Sequence, residues 1–277
     1  MASVMIPTPP LTTLRWKRLL LTGAAGALGR ELRPRLKVYC DALRLSDIAD
    51  LGTAAAGEEL RPAALEDKAA VHALLEGVDA VVHLGGVSVE KPFDVVLPAN
   101  IVGVFNLYEA AREHGVKRVV FASSNHVTGF YRQDETISPQ DPVRPDGYYG
   151  LSKAFGENLS RFYFDRYGIE TVCVRIGSSF PEPKDRRMLA TWLSFDDLER
   201  LVVAALAAPA VGHTVMFGMS DNRLTWWDNT SARHVGYRPQ DSSEPFRPAV
   251  EARQQRIDLT DPAAVFQGGG FVKQGPF

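Results

Sequence analysis

A doubly wound parallel α/β sheet with a small C-terminal cap is the fold class this sequence predicts, and three observations predict it. A short apolar run, Leu19 to Leu21, breaks into Gly23, Gly26 and Gly29, the pattern of a buried parallel strand turning into a helix. Further apolar runs then alternate with helical segments as far as Ile176, which implies parallel strands joined by crossover helices. Beyond Ile176 the alternation breaks up. A chain of 277 residues that is 45% hydrophobic can bury the core this needs, as one domain over 17–277 after a loose, Pro- and Thr-rich extension over 1–16.

The formal net charge of −2 offers no basic field to nucleic acid or an anionic membrane, and no apolar run is long enough to span a bilayer. Cys40 and Cys173 are the only cysteines, too few for a disulfide framework and without metal-ligand spacing. No metal is implied, and a reducing, cytoplasmic compartment is expected.

The glycines follow a G-x-x-G-x-x-G spacing. Gly23 permits a tight turn, Gly26 lets backbone N–H groups approach a diphosphate, and Gly29 lets helix and strand pack closely, with the helix running to about Leu36. A strand-to-helix turn with no ligand is the plain alternative. Ala42–Leu45 is the second strand and ends at Ser46-Asp47, where a dinucleotide fold places a carboxylate against the adenosine ribose; an ordinary turn aspartate is the alternative. Glu59–Leu65, interrupted by Pro62, is a poor third strand suited to an edge. Lys68–Leu75 reads as a short helix, and Ala80–Leu84 as a buried strand running into Gly85-Gly86, with His83 a neutral core histidine.

Lys91–His114 reads as one long helix with Pro98 at a kink or in its opening part. Asn100, Gly103 and Asn106 put two amides and one small residue among its apolar neighbours. Arg118–Ala122 is the next strand and delivers Ser123-Ser124-Asn125-His126 to the sheet edge where ligands bind. A loop over Asp134–Asp146 precedes a helix from Tyr148 to about Tyr167, and Glu170–Ile176 is the sixth strand. A helix over Leu198–Ala207, the run Val215–Gly218, Trp226-Trp227 and Gly268–Gly270 then read as pieces of a cap.

Tyr149 and Lys153 lie four apart, on one face of a helix. An ammonium beside a phenol favours the phenolate, which can take a proton from an alcohol, and Ser124 on the neighbouring strand can hold the same hydroxyl. The pair alone is unspecific. Its place after a glycine turn, an acidic strand tip and a Ser-Ser strand end is what points to alcohol oxidation.

Thr22-Gly-Ala-Ala-Gly-Ala-Leu-Gly29, Asn100-Ile-Val-Gly103, Ser123-Ser124 and Tyr149-Gly-Leu-Ser-Lys153 together resemble the extended short-chain dehydrogenase/reductase superfamily. Within it, Leu84–Phe93, Ala122–His126, Arg175–Ser178, Pro181-Glu-Pro183, Arg187-Met-Leu189 and Trp226–Asn229 resemble the uronate dehydrogenase family, over about Lys17 to the C-terminus. The resemblance implies a Rossmann-type fold and NAD-dependent oxidation of a hexuronic acid, D-glucuronate or D-galacturonate, at the anomeric carbon to the aldaro-lactone. Tyr149 is then the base, Lys153 lowers its pKa and holds the nicotinamide ribose, and Ser124 positions the hydroxyl. The implied NAD site is Gly23, Ala25, Gly26, Ala27, Leu28, Gly29, Asp47, Ile48, Leu65, Leu84, Gly85, Gly86, Asn100, Tyr149, Lys153 and Ile176. Ser88, Ser124, Asn125, His126, Ser178 and Arg187 line the sugar, with Arg187 on its carboxylate. A homo-oligomer is implied as well.

Ala64, Ala49 and Ala27 depart from the family pattern, where Asp, Ser and Gln stand, and foretell weaker holding of the cofactor. Each single residue also has a plain reading: Arg187 as solvated surface, Asn125 and His126 as turn caps, Trp226-Trp227 as packing. Two rival functions exist. A nucleotide-sugar epimerase or dehydratase needs a larger cap than the roughly 100 residues after the sixth strand supply. A non-catalytic NAD sensor tends to lose the Tyr-Lys pair kept here.

Overall fold

The computed structural model describes residues 15–254 and 258–275; most of the expected 1–16 extension lies outside them. Seven parallel strands form one sheet in the order β3-β2-β1-β4-β5-β6-β7. They are β1 (Trp16–Thr22), β2 (Cys40–Ser46), β3 (Glu58–Leu60), β4 (Ala80–His83), β5 (Arg118–Ser124), β6 (Glu170–Ile176) and β7 (His213–Gly218). The chain reverses its direction of travel across the sheet between β1 and β4, which opens a crevice at their C-terminal ends.

Both faces of the sheet are covered. Leu19 and Leu21 point to one layer, with Leu32 and Leu36 of α1 (Ala27–Leu36) and Leu198, Leu201 and Val202 of α7 (Phe195–Ala207). Leu20 between them points to the other, with Val71 of α2 (Lys68–Leu74), Leu107 of α4 (Gly103–Glu113) and Tyr163 of α5 (Tyr148–Tyr167). This period of two across continuously apolar strands is why the strands read as unbroken hydrophobic runs.

Five expectations change. Trp16 opens β1, pairing with Cys40 and packing on the core, so the extension is shorter than 1–16. The third strand shrinks to Glu58–Leu60, because Pro62 cannot donate to a ladder; its side chains are held by the ion pairs Arg33–Glu58, Arg18–Glu59 and Arg44–Glu59. The long helix starts at Phe93 as α3 (Phe93–Leu97), runs through a π-helical turn at Pro98–Val102 and continues as α4. Pro98 has no N–H to give, and the wider turn absorbs the loss. Val215–Gly218 is not cap but the end of β7, paired in parallel with β6, and α7 is its crossover helix. A doubly wound pattern therefore extends past Ile176. What remains as cap is α6 (Met188–Thr191), α8 (Arg247–Arg253), α9 (Pro262–Val265) and the loops between.

Among the described residues no helix is long and apolar enough to cross a membrane.

The glycine turn shows which backbone approach the fold needs. Gly23 has φ +69, and a Cβ on Gly29 would lie 2.1 Å from the Gly23 carbonyl oxygen and 2.7 Å from Ala24 Cα, both backbone. Gly115 also has positive φ, yet nothing lies within 4 Å of a Cβ there. Gly29→Ala is therefore expected to cost about 3 kcal/mol in urea unfolding through a clash that cannot be relieved, and Gly115→Ala only about 1 kcal/mol through backbone strain. A loss at Gly29 no larger than that at Gly115 would show that the backbone around Gly29 gives way and that close packing does not make it necessary.

Candidate active site

One cavity of about 1430 Å³ runs across the C-terminal edge of the sheet, from the glycine turn to the segment after β6. At its first end α1 begins on Gly26 with no side-chain cap and no acidic residue in its first turn. Its free N–H groups face the cavity, and with the three glycines they fit a diphosphate. Ala25, Ala27 and Leu28 line the same wall. Asp47, at the tip of β2, accepts from Ala25 N and Ala49 N at 3.0 Å each, so it braces the turn and also faces the cavity beside Ile48.

Leu65, Leu84, Gly85, Gly86 and Ile176 continue the lining. Asn106 donates to the carbonyls of Leu65 and Glu66 at 3.0 and 3.2 Å, and a Cβ on Gly103 would meet Leu65 Cβ at 2.5 Å. Asn106 and Gly103 of α4 thus seat the loop after β3. Asn100 lies behind the wall and not on it. Its amide is consumed by Val87, accepting from N at 2.7 Å and donating to O at 2.9 Å, and by Ser152 Oγ at 2.9 Å. It holds the loop that carries Ser88 and lines no part of the cavity, unlike the other predicted residues. Of the three departures, Ala27 and Ala49 line the cavity; Ala64 does not.

His83 is the neutral core histidine its position suggested: fully buried, 2.7 Å from Thr22 Oγ1, with burial pulling its pKa down to about 3.

Ser124, Tyr149 and Lys153 meet over the middle of the cavity, all buried. Lys153 Nζ donates to the Ala122 carbonyl at 2.8 Å and lies 5.8 Å from the Tyr149 ring centre. The expected phenolate is not what this arrangement favours. Burial pushes Tyr149 up to about 12, outweighing the hydrogen bond with Ser124, and burial brings Lys153 down to about 8. Desolvation disfavours both charges, and Lys153 spends one N–H on a backbone carbonyl. Its other two N–H donors have no hydrogen-bond partner among the described residues.

The other predicted residues converge further along. Arg187 donates through Nε to the Gln267 carbonyl at 2.5 Å and through Nη1 to Ser178 Oγ at 3.3 Å. Asn125 accepts from Arg187 Nη2 at 2.7 Å and donates to the Ile176 carbonyl at 3.0 Å. Among the described residues Arg187 forms no salt bridge, and burial holds its guanidinium below its ordinary pKa. Arg186, by contrast, is tied to Glu251 and the Gln254 backbone. Ser88 lines the cavity nearby in sequence to the Asn100-held loop. His126 lies with its ring 5.9 Å from that of Tyr149.

Four residues of the site were not foreseen. Glu90 is buried and caps α5 from a distance, accepting from Tyr148 N and Tyr149 N at 2.8 Å each. A Cβ on Gly147 would fall 2.3 Å from its carboxylate. Asp146 binds His126 Nδ1 at 2.7 Å. Gln267, fully buried, accepts from Trp227 Nε1 and donates to the Arg132 and Glu135 carbonyls, pinning the C-terminal segment. Phe271 stacks on His126 at 3.7 Å. In sequence Asp146 was only the end of the loop before α5, and Glu90 only a member of the Leu84–Phe93 stretch. Trp226-Trp227 is packing: both are buried, and Trp227 stacks on Phe217 at 4.7 Å.

Residues 19–195 match the model of the NAD dependent epimerase/dehydratase family. Uronate dehydrogenase of Pseudomonas syringae pv. tomato is 61% identical over 96% of this chain and 97% of its own. That of Agrobacterium fabrum is 51% identical over 92% and 97%. The crystal structure of glucuronic acid dehydrogenase from Chromohalobacter salexigens superposes with a TM-score of 0.92 at 52% identity, covering 94% of this chain and 97% of the other. The chain, with its parallel seven-stranded sheet and its Ser-Tyr-Lys set at the strand tips, belongs to the NAD-dependent epimerase/dehydratase family and within it to the uronate dehydrogenases.

Proposed function

We propose that this chain oxidises a free hexuronic acid, D-glucuronate or D-galacturonate, at its anomeric hydroxyl to the aldaro-lactone, with NAD as acceptor and Tyr149 as general base. The observation that carries the substrate is Arg187, a half-buried guanidinium in the cavity wall with no salt-bridge partner among the described residues. An unpaired cation partly withdrawn from water is costly, and a substrate carboxylate removes the cost while matching the planar fork. Ser178 and Asn125 hold that fork in place.

NAD, when bound, supplies the two-electron acceptor. The first-turn N–H groups of α1 hold its diphosphate, Asp47 its adenosine ribose, and Lys153 its other ribose through the two donors not given to Ala122. Ser124 holds the C1 hydroxyl and Tyr149 takes its proton as the carbonyl forms. Ser124 and Tyr149 are both buried. Oxidation at C1 of a cyclic hemiacetal needs one proton acceptor and one electron-pair acceptor, and no nucleophile. The names of the relatives at 51–61% identity support the uronate over a nucleotide sugar, and retention of Tyr149 and Lys153 supports catalysis over sensing.

The whole of residues 17–277 acts as one NAD-binding unit in this reading. Its two free cysteines, both buried, suit a reducing cytoplasm. A homo-oligomer is supported by adjacent helices that leave large apolar side chains exposed, Phe105 on α4 with Leu151 and Phe162 on α5.

Three measurements test the reading, beginning with NADH formation on D-glucuronate, D-galacturonate and D-glucose. Arg187→Ala is expected to lose about 30- to 1000-fold in kcat/KM for uronates through KM, the size of one charge-assisted contact, with Arg187→Lys recovering part of it. A wild-type enzyme that takes glucose as well as glucuronate would end the carboxylate assignment. Tyr149→Phe should keep NAD affinity and lose roughly 100-fold or more in kcat. In the wild type kcat/KM should climb as pH rises from neutral, because burial sets the phenol above its ordinary pKa and the base must lose its proton. A Tyr149→Phe enzyme with most of its activity would place the base elsewhere. NAD should be preferred over NADP on the order of tenfold, since Asp47 repels a 2′-phosphate, and Asp47→Ala should narrow the gap; equal kcat/KM for the two cofactors in the wild type would remove that role.

A further inference from the structure

His126 and Asp146 form a buried pair for which the chemistry above has no use. The Asp146 side chain is wholly buried, its Oδ2 lies 2.7 Å from His126 Nδ1, and its Oδ1 has no partner among the described residues. Such a carboxylate is expensive, yet the chain makes room for it from separate segments. A Cβ on Gly129 or on Gly268 would fall 2.0 Å from Oδ2, and a Cβ on Gly150 would lie 3.3 Å from Oδ1. A group that costs free energy and is given space by three segments marks function more than packing.

We propose that Asp146 is a positioning residue that keeps the proton of His126 on Nδ1, so that Nε2 meets the sugar as a hydrogen-bond acceptor and selects a hydroxyl that donates. This rests on the uronate reading above. A carboxylate only accepts, so a 2.7 Å contact puts the hydrogen on Nδ1. Burial, with Arg187 acting in the same direction, holds the imidazole below its ordinary pKa and therefore neutral, which leaves a lone pair on Nε2. The ring cannot turn away. Phe271 stacks on it at 3.7 Å, His126 N donates to Ser124 Oγ at 3.2 Å, and Asp146 N donates to the His126 carbonyl at 3.3 Å.

The surroundings give the acceptor its meaning. Arg187 can only donate, and the Asn125 amide is used up between Arg187 and Ile176. The sugar carboxylate is thus read by donors. His126 supplies the opposite polarity, and a site that reads a hydroxyl by its proton rejects an analogue lacking that proton.

The test is Asp146→Asn, nearly the same shape with a donor in place of one oxygen. Its amide would donate to Nδ1 and move the ring proton to Nε2, turning the acceptor into a donor. KM for D-glucuronate should rise about tenfold or more, the size of one lost hydrogen bond, with NAD affinity unchanged and kcat less affected. With D-glucuronates carrying fluorine in place of one ring hydroxyl, the wild type should reject one position strongly, since fluorine cannot donate, and Asp146→Asn should narrow that rejection. The third readout needs no substrate. The low-field proton resonance of an Nδ1–H bound to a carboxylate should be present in the wild type, and lost in Asp146→Asn and in His126→Gln. Its absence from the wild type, or a folded Asp146→Asn with unchanged KM, would overturn the proposal, the former even where Asp146→Asn does not fold. A wild type that shows the resonance but does not turn over D-glucuronate would sink the uronate reading instead, leaving the tautomer assignment standing.

Discussion

The seating of α5 on β5 and β6 is the constraint on which the site depends. One helix carries Tyr149, Ser152, Lys153 and Glu157, so its position sets four functions together. It lies close because glycines let it: a Cβ on Gly150 would be 2.3 Å from the His126 carbonyl oxygen, and one on Gly156 would be 2.3 Å from the Phe121 ring. Its N-terminus is held by the Glu90 carboxylate from the loop after β4. Its middle is held by Glu157, which accepts from Ser123 at 2.6 Å and pairs with Arg175 of β6 at 2.9 Å. Breaking such a buried pair by removing one partner typically costs about 3–5 kcal/mol, so the helix is fixed by more than hydrophobic contact.

Two arginines show how the fold separates structure from function. Arg175 is 2% exposed and closes on Glu157. Arg187 is half-buried, and it meets only carbonyl, hydroxyl and amide oxygens. The charge of the first is paired within the chain. The second is oriented without being neutralised, which is the electrostatic condition for a site that takes an anion. Tyr149 and Lys153 follow the same logic, since burial has raised the cost of both charges until ligand groups arrive.

Much of the fold was legible because local pattern and global packing agree. The helix at Tyr148–Tyr167 and the strand at Glu170–Ile176 fall where periodicity put them, each long and strongly patterned. Where they disagreed, a long-range term decided. β7 carries a short run with a mixed pattern, and it is a strand because β6 offers it a parallel ladder from Thr171 to Ile176. Asn100 resembled a binding residue in sequence, and only the π-helical turn after Pro98 shows that its amide faces Val87 and Ser152 instead of the cavity.

Apart from Arg187, which only the resemblance to a known family brought into the site, the sequence by itself determined the doubly wound sheet, the glycine turn with Asp47 beside it, and the placing of Ser124 with the Tyr149-Lys153 pair. These follow from residue type and spacing along single elements, because glycine, apolar period and an i,i+4 pair each act within a few residues. The tertiary structure alone decided who holds whom. Glu90 lies 59 residues from Tyr149, and Gln267 takes the Arg187 guanidinium 80 residues away. Asp146 finds its room between Gly129 and Gly268, two loops that no local rule connects. Desolvation, which pushes Tyr149 up and Arg187 down, is likewise a property of the packed chain, since it depends on every segment that closes over the group.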